Sequence, residues 1–198
     1  KDQFYQQIQL VVEPLKDWVI TAEGNMKIVN NQNQWEVLPV YYHDGEGSPV
    51  AMAWFDGYTP GMSRVNQSYW KDNNYSLNLY TDYFKQIGDH YFKVMGGFNA
   101  ELYKRTNLSG QRDELITPDV PTLNTGTTEQ KANGGYSHWA NAGFFGRINY
   151  NYKERYLLEI NGRYDGSSRF FGDKRWGFFP SFSAGWNVSR EPFWRDLE

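Results

Sequence analysis

From Tyr156 the chain alternates strictly. Tyr156, Leu158, Ile160, Gly162 and Tyr164 fall on one side, and Leu157, Glu159, Asn161, Arg163 and Asp165 on the other. A second run sets Pro180, Phe182, Ala184, Trp186 and Val188 against Ser181, Ser183, Gly185 and Asn187. A repeat of two is the signature of an extended strand, whose successive side chains point to opposite faces. Similar runs over 4–12, 18–29, 74–86, 90–103 and 138–151 raise the expectation to about seven strands. Several reach or exceed the ~10 residues that a tilted strand needs to cross a bilayer.

The links between runs carry their own pattern. A two-residue turn at Gly88-Asp89 sets Phe92 opposite Lys85, Val94 opposite Tyr83 and Phe98 opposite Leu79, with Asn99 opposite Asn78 on the wetter face. A hairpin around 13–17 pairs Val12 with Trp18 and Leu10 with Ile20. One around 151–155 pairs Ile148 with Leu158, Gly146 with Ile160 and Arg147 with Glu159. A slip of one residue would exchange the faces, so this agreement constrains the pairing. Short links at 13–17, 87–89 and 151–155 alternate with long ones at about 30–73 and 104–137, and a shorter one near 165–175. Short turns at one end and long loops at the other mark outer-membrane barrels, the short side being periplasmic.

Composition narrows the choice. Aromatic residues make up 18% of the 198 residues, yet hydrophobic residues total only 39% and mean hydropathy is −0.75. A soluble core draws mainly on Leu, Ile and Val; here Tyr, Phe, Trp and Gly dominate, as in a wall with lipid outside and water inside. No apolar run approaches the ~20 residues of a membrane-crossing helix. The net charge of −3 gives no footprint for nucleic acid. The absence of cysteine rules out disulfides and thiolate sites. No phosphate loop, nucleophile elbow or catalytic carboxylate pair is present, so neither an enzyme nor a cofactor is expected. The chain opens on Lys-Asp-Gln-Phe-Tyr with no export leader, which suggests that the start of the protein lies elsewhere. About seven strands do not close a bacterial barrel, and open edges in lipid leave backbone groups unpaired. The expectation is an all-β, antiparallel transmembrane β-barrel section belonging to something larger. A soluble, aromatic-rich β-sandwich that binds carbohydrate and a passive porin are the competing readings.

Residues 151–194 carry a more specific signal. Tyr156-Leu157-Leu158 is followed by Arg163-Tyr164-Asp165-Gly166-Ser167-Ser168-Arg169-Phe170, then by Arg175-Trp176-Gly177-Phe178-Phe179-Pro180-Ser181, Ser183-Ala184-Gly185-Trp186 and Glu191-Pro192-Phe193. In order and spacing this resembles the barrel of SusC/RagA-type TonB-dependent outer-membrane transporters. The resemblance implies a 22-stranded barrel occluded by an N-terminal plug and driven through TonB. It also implies a SusD-like lipoprotein that caps the mouth and captures oligosaccharide or peptide, in a Bacteroidota-type Gram-negative outer membrane. Residues 1–198 would all be barrel domain, without plug or TonB-box, and residues 30–137 carry no comparable motif.

Two groups of residues are candidates for a site. Residues 50–58 hold the longest apolar run inside the longest expected loop, so Trp54, Phe55, Tyr58, Tyr69 and Trp70 are candidates to stack on sugar rings or to pack beneath a partner; burial within a loop folded on itself is the equal alternative. The motif residues Arg163, Asp165, Gly166, Ser167, Ser168, Arg169, Phe170, Arg175, Trp176, Gly177, Pro180, Ser181, Gly185 and Trp186 are expected to be scaffold. In that reading Gly166 and Gly172 permit unusual backbone angles, and Asp165, Arg169 and Arg175 pair at the rim. His43-Asp44-Gly45-Glu46 lacks a full calcium-loop spacing and reads as a solvated acidic turn. His43, His90 and His138 are scattered, and no metal site is expected.

Overall fold

The computed structural model describes residues 1–51 and 62–195, apart from the side chains of Glu129 and Arg195. Seven strands form one sheet whose order follows the chain: β1 (Asp2–Leu15), β2 (Trp18–Val37), β5 (Arg64–Ile87), β6 (His90–Leu115), β7 (Gly126–Tyr152), β8 (Tyr156–Ser167) and β9 (Trp176–Trp186). β3 (Tyr41–His43) and β4 (Pro49–Ala51) make a separate small hairpin. A four-residue helix, α1 (Pro192–Arg195), follows β9. Among the described residues no helix is long and apolar enough to cross a membrane.

The strands outrun the expected ones. β2 continues to Val37, β5 begins at Arg64, β6 runs to Leu115 and β7 starts at Gly126. Much of 30–73 and 104–137 is therefore strand, and the long links contract to the stretches between Val37 and Arg64 and between Leu115 and Gly126. Polarity on both faces hid these extensions, because alternation is visible only where one face is apolar. The first hairpin is also tighter than expected: β1 passes through Pro14 to Leu15 and leaves only Lys16 and Asp17 as the link, with Asp17 at φ 67°. Gly88-Asp89 forms the two-residue turn expected of it, with Gly88 at φ 57°. A glycine in that conformation at the first central position suits the right-handed twist of paired strands.

The chain divides into two units. One comprises residues 1–3, 28–72 and 105–137. It contains the two buried hydrophobic side chains among the described residues, Val29 and Val65. Beside Val65, Arg64 donates two hydrogen bonds of 2.6 Å to the carboxylate of Asp113, which is 2% exposed. The Ser63 hydroxyl accepts from the Leu115 amide at 2.8 Å. The Arg64 guanidinium holds the Asp113 carboxyl below its ordinary range, overcoming the opposing effect of burial.

The other unit comprises residues 4–27, 73–104 and 138–198. Among its described residues no closed core forms: Phe182 is 86% exposed, Phe178 65%, Trp186 56% and Ile160 47%. A β-sandwich would turn these side chains toward a second sheet. Here they lie open, which overturns the soluble-sandwich reading.

Candidate functional site

The register of β7, β8 and β9 separates an apolar face from a largely polar one, on which Phe145, Leu157 and Phe179 also stand. On one, Phe144 pairs with Tyr164 and Tyr164 with Phe178; Ile148 pairs with Ile160 and Ile160 with Phe182; Tyr152 pairs with Tyr156 and Tyr156 with Trp186. On the other, Arg147, Asn161 and Ser181 form one row and Asn149, Glu159 and Ser183 the next. The β7–β8 register differs from expectation by two residues, because the link is the three residues Lys153–Arg155 rather than five. Lys153 and Glu154 take φ of 53° and 55°, and the Arg155 amide closes the turn on the Tyr152 carbonyl at 2.9 Å. An even shift keeps the faces and changes only the partners. Arg147 therefore lies opposite Asn161, donating to it at 2.6 Å, and approaches Glu159 diagonally at 4.0 Å. Glu159 accepts from Asn149 at 2.6 Å and Asn161 at 2.8 Å. The same polar face continues on β5 and β6, where Asn99 donates to Asn78 at 2.5 Å and Asn74 to Glu101 at 3.0 Å.

Aromatic rings bracket the apolar face. Near the short links, His90 stacks on Phe92 and Tyr150, and its Nδ1 is hydrogen-bonded to the Tyr150 hydroxyl at 2.8 Å. Tyr152 stacks on Tyr156. At the other end Tyr164 stacks on Trp176, with ring centroids 5.1 Å apart. Trp176 and Trp186 share one face of β9 ten residues apart, ~25 Å along the normal for a strand tilted by ~40°. That is the height of an outer-membrane apolar band.

The motif residues build the β8–β9 hairpin. Trp176 lies opposite Gly166, and a Cβ on Gly166 would stand 2.6 Å from the indole. Gly166 is thus present for room, not for an unusual backbone angle; Gly172, at φ 59°, does supply one. Ser168 extends the ladder by accepting from the Ala140 amide through its hydroxyl and donating its own amide to the Ala140 carbonyl, both at 2.8 Å. The Ser167 hydroxyl accepts from the Arg169 amide at 3.4 Å. The expected rim pairing of Asp165 with Arg169 and Arg175 does not form. Asp165 takes both hydrogen bonds of Arg163, at 2.9 and 3.0 Å, because side chains two apart on a strand share a face. Arg169 lies over Trp139, 4.8 Å from the ring centroid, and Trp139 stacks on Tyr103. Arg175 Nε donates to the Phe170 carbonyl at 3.4 Å. Gly177, Pro180, Ser181 and Gly185 stand in β9 opposite Asp165, Gly162, Asn161 and Leu157.

A tie that the strand pattern alone did not reveal closes the short end. Glu191, 6% exposed, accepts from the Tyr156 hydroxyl at 2.6 Å, Trp186 Nε1 at 3.1 Å and Arg155 at 3.2 Å. These donors hold its carboxyl below the ordinary range, the Tyr156 hydrogen bond contributing most. A lone glutamate just beyond an aromatic-ended strand was the available sequence signal.

Of the expected contact residues, Trp54, Phe55 and Tyr58 lie outside the described residues. Tyr69 and Trp70 are in β5, not in a loop, and as strand neighbours they point to opposite faces. Tyr69 donates to Asn30 at 3.2 Å; Trp70 carries the Arg105 guanidinium 5.1 Å from its ring centroid. The Asp44 carboxylate accepts from the Glu46 and Ser48 amides at 3.0 and 2.8 Å, which makes it the cap of the β3–β4 turn.

One greasy, uncovered face of bilayer height backed by one hydrogen-bonded polar face suits a sheet standing between hydrocarbon and water: the chain is a section of transmembrane β-barrel wall. No family model matches it. It is 36% identical over 127 residues, 63% of its length, to the TonB-dependent receptor SusC of Bacteroides thetaiotaomicron. It is 30% identical over 197 residues, 93% of its length, to the TonB-dependent receptor P26 of Formosa agariphila. The chain spans 12% and 18% of those two proteins. Its fold matches the RagAB peptide transporter with a TM-score of 0.83 at 17% identity, over 96% of this chain and 20% of that one. The chain belongs to the SusC/RagA-type TonB-dependent receptors, as a section of their barrel.

Proposed function

We propose that this chain forms part of the wall of a TonB-driven importer that carries oligosaccharides or peptides across the outer membrane of a Bacteroidota-type bacterium, with a SusD-like lipoprotein at its outer mouth. The observation that carries this reading is the sorting of β7–β9, where Ile160 and Phe182 share the exposed apolar face and Asn161 and Ser181 the polar one. In transport the chain's part is passive. The apolar face seals against lipid, the polar face lines the channel, the short links lie in the periplasm and the long ones outside. Plug and TonB contacts fall to other parts of the protein.

The chain holds no cysteine, so single cysteines placed in it report one position each in a full-length receptor cleared of any cysteine elsewhere. A water-soluble maleimide should label Asn161→Cys and Ser181→Cys and spare Ile160→Cys and Phe182→Cys, which a lipid-soluble reagent should reach. Equal labelling of all four from water would defeat the wall assignment. Uptake that persists in cells lacking TonB would instead mark a passive porin.

A further inference from the structure

The polar face bears a cavity of about 520 Å³ at the β8–β9 hairpin. Its lining includes Glu101, Arg163, Asp165, Lys174, Arg175 and Phe179. The two carboxylates are already engaged: Asp165 takes both hydrogen bonds of Arg163 and Glu101 accepts from Asn74. The cations are not matched in the same way. Arg175 spends one N–H on the Phe170 carbonyl, and Lys174 makes no ion pair among the described residues. Three cations against two carboxylates leave the cavity with a formal excess of positive charge, and Phe170 and Phe179 add apolar surface beside it.

The placement of Lys174 matters as well. The two motif blocks end at Phe170 and resume at Arg175, so 171–174 is the stretch between them that the resemblance leaves open. The 3-10 turn Gly172–Arg175 sets Lys174 at the edge of a frame fixed by Arg163, Asp165 and Arg175.

We propose that this cavity is a contact point for transported substrate and takes a carboxylate, with Lys174 and the remaining N–H groups of Arg175 as its donors. The carboxylate could belong to a uronic acid unit of an oligosaccharide or to the C-terminus of a peptide; the recognition chemistry is the same. The inference rests on the polar face being the channel side, which the cysteine labelling above checks on its own.

The test is binding to the purified full-length receptor, with matched probes: oligogalacturonate against neutral oligogalactose, and a peptide with a free C-terminus against its amide. At least one acidic probe should bind more tightly than its neutral counterpart. Lys174→Gln should weaken that probe on the order of tenfold, the scale of a lost charge-assisted hydrogen bond, and leave the neutral one within about twofold. Which pair responds identifies the source of the carboxylate. High salt should shrink the difference, since the site is open to water. Equal affinity within both pairs, or equal losses for acidic and neutral probes in Lys174→Gln, overturns the assignment even where the labelling experiment succeeds.

Discussion

At the scale of single residues, three positions carry consequences that can be measured in the full-length receptor. Gly166 is the floor on which Trp176 lies. Gly166→Val would lift the indole and break its stack on Tyr164, at a cost of about 1–3 kcal/mol, read as a lower urea midpoint. Asp113 is held below its ordinary range by Arg64. A carboxylate with a lowered folded-state pKa binds fewer protons folded than unfolded, so its stabilisation is complete above the unfolded value, near 3.8, and is lost as pH falls through the folded one. Asp113→Asn should lower protection from hydrogen exchange in the 62–65 and 112–116 segments at neutral pH by about 2 kcal/mol, and remove their acid sensitivity. Glu191 has the same sign, with its stabilisation complete above the unfolded value, near 4.5, and lost as pH falls through the lower folded one. Glu191→Gln should flatten the acid limb of the stability profile, and an unchanged limb would show that the Tyr156, Trp186 and Arg155 contacts contribute nothing there.

At the scale of elements, hairpins were legible wherever one face was apolar. Ile160 and Phe182, and Leu158 and Ala184, meet as neighbours on one face because their strands alternate cleanly. The β7–β8 partners moved by two because turn length, not alternation, sets register within one parity, and Lys153–Arg155 gave no glycine to mark the turn. The ends of β5, β6 and β7 were illegible because polar residues occupy both faces there. Tyr69 and Trp70 were misplaced into a loop for that reason. The apolar face should resist charge in proportion to depth: Phe182→Arg should cost about 2–4 kcal/mol in a bilayer and Ser181→Arg little, a contrast that unfolding from vesicles would display. Indifference to both would mean that neither side touches hydrocarbon.

For the whole chain, class and lineage were legible, whereas the contact site was not. The apolar band, the sorted links and the motif between Tyr156 and Phe193 all pointed to one wall. The cavity beside Lys174 depends on which cations remain unspent once strands pair, and no linear pattern records that. Taken alone, the 198 residues should require detergent and should associate, since Phe182 and its neighbours are left uncovered. Size-exclusion chromatography showing a soluble monomer would contradict the barrel assignment.

Because the order of strands across the seven-stranded sheet is their order along the chain, every strand of that sheet bonds to the member made just before it, the small β3–β4 hairpin standing apart. The wall can then be assembled by stitching, each new hairpin zipping onto a finished border, with no distant segment to be found first. The same arrangement lets a copied hairpin slot in and enlarge the circumference by two strands while only the one seam it enters has to open.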